Sequence, residues 1–191
     1  NVTDIVPLGA ATEEQALRLA AAVEVGSEHP LGEAIVRAAQ HRNIELPKVT
    51  GFEAIPGHGI RGKVDGRKVL LGNRRLFACE GIDAAAAEET MIRLEGEGKT
   101  AMLIGLDGAL TGIVAVADTL KPEAKEAVAA LAREKVEVIM LTGDNQRTAQ
   151  AIARELGIER VIAEVLPGDK AKVVQDLQRQ GKSVAMVGDG V

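Results

Sequence analysis

Between Val136 and Gly157 an apolar run changes character abruptly, and that change limits what the chain can fold into. Four apolar residues, Val138 to Leu141, stop at the polar tetrad Thr142-Gly143-Asp144-Asn145. Ala149, Ile152, Ala153 and Leu156 then recur at the spacing of one helical face, and Gly157 is suited to end that helix. A strand that runs into a polar loop and then a helix is a unit of an open α/β sheet, where ligands bind at the carboxyl ends of strands. A hydroxyl, a small residue and a carboxylate ahead of a helix suit a phosphate-handling site. The same four residues equally suit a turn followed by an N-cap.

The surrounding pattern repeats the unit. After Asp118-Thr119-Leu120-Lys121-Pro122, the spacing predicts helix 122–134, strand 136–141, helix 145–156, strand 160–163, helix 168–180 and strand 183–187. Such alternation predicts a doubly wound parallel sheet. Residues 1–116 read differently. A short strand from Val2 precedes a helix capped by Thr12 and running to about Val25, with Glu13 and Glu14 in its first turn. Pro30 fits the first position of a second helix, with His29 at its N-cap. Strands are expected at 52–55, 60–64 and 68–71, the last two joined by the hairpin signal Asp65-Gly66. A helix over 84–95 and strands 101–106 and 110–116, joined at Asp107-Gly108, complete an α+β part with an antiparallel sheet and a helical hairpin. The expected division is 1–116 and 117–191.

Composition narrows the function. Apolar residues make up 46% and charged residues 27%, with a net charge of −5. This balance argues against nucleic acid as the main partner. The single Cys79 rules out an internal disulfide or a Cys-pair metal site, and a partly buried thiol is expected there. No run approaches the roughly 20 apolar residues that span a bilayer, and no signal peptide opens the chain. There is no Trp or Tyr, and the two Phe are Phe52 and Phe77. A bound base therefore has to rely on histidine or aliphatic side chains in place of an aromatic sandwich.

Two sets of residues carry chemistry. In the second part, Thr142, Asp144, Lys170 and Asp189 can converge on one phosphate. Asp189, in Gly188-Asp189-Gly190, suits Mg²⁺ with phosphate oxygens completing the shell. A lysine and a hydroxyl stabilise charge on a phosphoryl group in transfer. A phosphoryl-transfer site of this kind also needs an aspartate nucleophile after a central strand. Asp118 precedes a helix and Asp4 begins a strand, so neither suits it. In the first part, Glu24, Glu28 and His29 cluster at one helix junction. Gly57-His58-Gly59-Ile60-Arg61-Gly62 matches Gly-x-Gly-x-x-Gly but leads into a strand, which excludes a dinucleotide fingerprint. Gly57 and Gly59 still leave room for a ligand over the backbone, although a plain strand-entry turn has the same sequence.

Ser27-Glu28-His29-Pro30, Leu141-Thr142-Gly143-Asp144-Asn145 and Met186-Val187-Gly188-Asp189-Gly190-Val191 together resemble the signatures of heavy-metal-transporting P-type ATPases. The resemblance spans essentially the whole chain. It implies a nucleotide-binding domain followed by a partial, haloacid-dehalogenase-like phosphorylation domain. It implies ATP as ligand, with Glu24, Glu28 and His29 around the base, Gly57 and Gly59 beneath the phosphates, and Ile60, Gly72 and Asn73 lining the pocket. Thr142 and Lys170 would meet the transferred phosphoryl group, Asp144 would order the site, and Asp189 would hold Mg²⁺. Leu71-Gly72-Asn73 and Val165-Leu166-Pro167 resemble copper(I) pumps more than zinc or cadmium pumps. The family's Asp-Lys-Thr-Gly-Thr does not occur in these residues. The chain is therefore expected to bind nucleotide as a monomer without turning it over, beside transmembrane and actuator domains of an intact membrane protein. A haloacid-dehalogenase-type phosphatase and a nucleotide-sensing module are the alternatives.

Overall fold

The computed structural model describes residues 1–27, 29–117 and 120–188. Six strands, β1 (Val2–Pro7), β2 (Val49–Ile55), β3 (Gly59–Val64), β4 (Arg67–Gly72), β5 (Thr100–Leu106) and β6 (Ala109–Val116), form one antiparallel sheet in the order β1-β6-β5-β4-β3-β2. The turns that fold it are the ones the sequence signals. Asp65 and Gly66 both take positive φ, as do Asp107 and Gly108, the geometry that tight hairpins between right-twisted strands require.

One face of the sheet is covered by helices α1 (Glu13–Glu24) and α2 (Pro30–His41). Helix α1 opens on a capping box: the Thr12 hydroxyl accepts from the Gln15 amide, and the Gln15 side chain accepts from the Thr12 amide. Leu17, Val23 and Ile35 are fully buried against Val64, Val69, Leu71, Ile104 and Val116. The other face carries a second cluster. There Phe77, in the short helix α3 (Arg74–Cys79), and Met91 and Leu94, in helix α4 (Glu88–Gly96), pack on Leu70, Leu103 and Ile113. A single 3₁₀ turn, Ala85–Ala87, precedes α4. Cys79, the last residue of α3, is exposed, not partly buried as its residue type suggests.

Beyond the sheet the chain alternates as expected, through α5 (Pro122–Arg133), β7 (Ile139–Leu141), α6 (Gln146–Leu156), β8 (Arg160–Ile162) and α7 (Lys170–Arg179). Strands β7 and β8 pair in parallel, Ile139 with Arg160 through Leu141 with Ile162. The expected parallel sheet is thus two strands wide among the described residues. The strand expected at 183–187 does not form: Met186 and Val187 stand exposed and the backbone there is irregular. An apolar run becomes a strand only beside a neighbour that takes up its backbone hydrogen bonds, and no described strand lies beside this one. Helix α5 buries no side chain.

Helix α6 rests on α4. Thr148, Ala149 and Ala153 are buried along one side of α6. The Thr148 hydroxyl donates to the Lys99 carbonyl at 2.7 Å. Arg147 reaches Glu95 at 3.3 Å. Glu95 is 1% exposed, and it also accepts both terminal nitrogens of Arg74. Burial pulls the Arg74 guanidinium towards losing its proton, but Glu95 and Glu88 outweigh that and hold it above its ordinary value.

Candidate functional site

Asn73 ties the start of α3 to the turn at Gly57 and His58. At the N-cap of α3, its Oδ1 accepts from the Leu76 amide at 3.1 Å, while its Nδ2 donates to the Gly57 carbonyl at 2.8 Å. The Asn73 amide donates to the His58 carbonyl at 2.9 Å. One side chain therefore caps a helix and fixes the Gly57–Gly59 turn. Gly57 adopts φ +73°, a left-handed conformation that suits glycine. Gly59 pairs with Gly72 across β3 and β4, and a methyl group added to it would lie 2.2 Å from the Leu71 carbonyl oxygen. The missing side chains of Gly59 and Gly72 serve the close approach of two strands, so they do not by themselves mark a ligand bed. Ile60 is 8% exposed and belongs to the core beneath α1.

Glu24 and His29 flank the junction between α1 and α2. His29 is exposed, and its Nδ1 accepts from the Leu31 amide at 3.2 Å, so the capping role is filled and the rest of the ring faces outward. Glu24 is 6% exposed, yet among the described residues its Oε2 has no hydrogen-bond donor. Burial raises the Glu24 carboxyl above the ordinary glutamate range, against the smaller downward pull of Ser27. Gly32 makes this position possible, because any side chain there would collide with Glu24 Oε2. Glu24, Val25, Ser27, Glu33, Val36 and Arg37 line a shallow cleft of about 280 Å³. That lies at the small end of ligand clefts and leaves room for a heterocyclic base. Glu28 lies outside the described residues.

Phe52 is a residue that sequence reasoning passed over. Its ring lies against Gly26, directly after Glu24 and Val25, and remains 38% exposed. Ala54, further along β2 and paired with Ile60, is also exposed. The helical layer thus leaves this corner of the sheet open beside the Glu24 carboxylate. A strand with a register shift between Thr50 and Glu53 hides the usual alternation, and that alternation was the signal that could have found Phe52.

In the second part Thr142 and Asp144 form one unit. The Thr142 hydroxyl donates to Asp144 Oδ2 at 2.7 Å and accepts from the Asp144 amide at 3.1 Å. Asp144 Oδ1 accepts from Thr100 Oγ1 at 3.4 Å, a contact with the first residue of β5. Asn145 caps α6 through Thr148, so the N-cap reading of the tetrad holds alongside the candidate phosphate loop. Lys170 opens α7, and among the described residues no hydrogen bond joins it to Thr142 or Asp144. Asp189 and Asp118 lie outside the described residues, which contain no cluster of three or more potential metal ligands.

Comparison with known proteins agrees with this architecture. The family model for haloacid dehalogenase-like hydrolases matches residues 2–191. A copper-exporting P-type ATPase of Bacillus subtilis (strain 168) is 49% identical over all 191 residues, which cover 24% of its own length. A copper-transporting P-type ATPase of Rhizobium leguminosarum bv. viciae is likewise 49% identical over the whole chain and covered to 23%. The chain thus spans about a quarter of the length of these curated relatives. Among solved structures, a zinc-transporting PIB-type ATPase in an E2.Pi state aligns with a TM-score of 0.64 at 40% identity, covering 100% of this chain and 30% of that one. The catalytic domain of the CPx-ATPase CopB-B shares the fold, with a TM-score of 0.72 at 24% identity over 98% of this chain and 66% of that one. No helix among the described residues is long and apolar enough to cross a membrane. The chain belongs to the haloacid dehalogenase-like hydrolase family, and over its whole length it is similar to part of the P-type ATPases named above.

Proposed function

We propose that the chain binds ATP in its first part and supplies a portion of the phosphorylation site in its second, as the catalytic region of a metal-cation pump. The observation that carries the nucleotide reading is Glu24: a nearly fully buried carboxylate oxygen without a donor among the described residues, at a small cleft. Leaving a buried acceptor unpaired costs about 1–3 kcal/mol, and the exocyclic amine of adenine is a donor of the right kind to recover it. His29 borders the same junction, and Glu28 is its neighbour in sequence. Gly57 and Gly59, held by Asn73 and Gly72 above Ile60, form the turn over which the phosphates run.

In the intact protein the γ-phosphoryl group passes to an aspartate outside these residues, in line with the positioning and charge stabilisation on which phosphoryl transfer depends. Thr142 and Lys170 contact that group, and Asp144 orders the loop. Asp189 is the residue that would hold Mg²⁺, which offsets phosphate charge when bound. The names of the relatives favour copper as the exported ion, with zinc or cadmium as the alternative cargo. Transmembrane and actuator segments of the same polypeptide are the partners, and this chain lies on the cytoplasmic side.

Calorimetric titration tests the reading at Glu24. Guanine presents an acceptor where adenine presents its amine, so ATP should bind roughly tenfold or more tightly than GTP. Glu24→Ala should erase that preference and His29→Ala should weaken both ligands. Equal affinity for ATP and GTP in the unmodified chain would remove Glu24 from the base site.

A further inference from the structure

The segment Ala163–Leu166, which leaves β8, crosses from the candidate phosphate loop to the candidate nucleotide turn. At one end its backbone is bonded to the loop: the Glu164 amide donates to the Asp144 carbonyl at 2.9 Å and the Val165 amide to the Thr142 carbonyl at 3.1 Å. The Val165 carbonyl sits close over Gly143, within 3.3 Å of where a side chain would begin. At the other end, a δ-methyl of Leu166 lies over Gly57, 2.6 Å from the position a Cβ would take. Arg75, the second residue of α3, pairs with Glu164 at 3.0 Å. Glu164 holds φ +58°, a left-handed conformation unusual for a residue with a side chain. Leu166 is 46% exposed, so little of the core depends on it.

The space above Gly57 is where a phosphate chain would approach the turn, and Leu166 fills it. From this juxtaposition we propose that Ala163–Leu166 is a strap whose seat on Gly57 is mutually exclusive with bound ATP. Nucleotide must lift Leu166 to reach the turn. Lifting it pulls on the two amides that bind Asp144 and Thr142, and so tells the phosphate loop that the nucleotide site is filled. The coupling is reciprocal: whatever orders the loop around a phosphoryl group shifts nucleotide affinity by the same factor. This inference rests on the nucleotide reading above, and adds to it a device that regulates the same site.

Two measurements on the whole chain test it. In calorimetry with MgATP, Leu166→Ala should bind about fivefold more tightly than the unmodified chain, the scale set by releasing a half-buried leucine contact that competes with the ligand. In a sample labelled on leucine methyls, the unliganded chain should show a nuclear Overhauser effect between Leu166 and the Gly57 α-protons, and saturating ATP should abolish it. Unchanged or weaker ATP binding by Leu166→Ala, or an Overhauser effect that persists with ATP bound, overturns the strap while leaving the ATP site standing. Absence of ATP binding in both chains removes the nucleotide reading, and the strap with it.

Discussion

Replacing Gly59 by alanine sets a methyl carbon 2.2 Å from the Leu71 carbonyl oxygen and 2.5 Å from the Gly72 Cα. Both obstacles are backbone, so no side-chain rotation relieves the clash. Gly59 also holds φ +143°, a conformation that alanine rarely adopts. The conformational strain is worth about 1–3 kcal/mol. Forcing the strands apart is worth about another 1–3 kcal/mol. Gly72→Ala meets the His58 carbonyl oxygen at 2.3 Å and the Gly59 Cα at 2.9 Å but carries no positive φ, so only the second cost applies. The expected order of stability is therefore unmodified chain, then Gly72→Ala, then Gly59→Ala, against a total that for a typical domain is only about 5–15 kcal/mol. Because both substitutions open the same pair, the double variant should lose less than the sum, by about 0.5 kcal/mol or more. Urea unfolding followed by circular dichroism reads all four proteins. If Gly59→Ala unfolds at the same urea concentration as the unmodified chain and loses only ATP binding, the residue is glycine for a ligand's sake and the strand-approach argument fails.

Two further expectations follow from buried polar groups. Thr148→Val keeps the shape of the side chain but removes the 2.7 Å bond to the Lys99 carbonyl; it should cost about 1–3 kcal/mol and speed hydrogen exchange along α6, and an unchanged urea midpoint would mean that α6 does not dock beside α4 in solution. The raised carboxyl of Glu24 binds its proton more readily in the folded chain than in the unfolded one, so its contribution to stability is full in acid and is lost as pH rises through the raised value. Glu24→Gln removes that loss, so the variant should match the unmodified chain near pH 4 and exceed it in melting temperature near pH 7.5; a constant difference across that range would show that Glu24 is not desolvated.

Much of this molecule is legible residue by residue, because its local chemistry is strong. Thr12 with Gln15, Pro30 after His29, Asn145 before α6 and Gly157 after it each satisfy or end a helix through groups a few positions away. The two Asp-Gly hairpins need only their own φ values. Features that depend on distant chain were not legible. The apolar run at 184–187 reads as a strand, but whether it becomes one is decided by a neighbouring strand. Gly59 advertises open space, and only the register with Gly72 shows that the space is already used. Glu24 is recognisable as a polar residue at a helix end, whereas the loneliness of its Oε2 depends on Gly32 and the surrounding burial. The meeting of Leu166 with Gly57 joins segments that share no sequence pattern at all.

The way Glu95 is shared has a mechanical consequence. Its carboxylate takes Arg74 from its own side of the contact and Arg147 from α6. If α6 swings away, Arg147, already half in solvent, regains water, and Glu95 keeps Arg74 as its counter-ion. No buried charge is abandoned by the separation, which spares it the largest penalty that parting such groups incurs. The Thr148–Lys99 bond, by contrast, either exists or does not, since a hydroxyl cannot follow a carbonyl across several ångströms. The joint between α6 and α4 therefore behaves as a catch: inexpensive to release, but released in one step, and re-engaged only when Thr148 finds the same oxygen again.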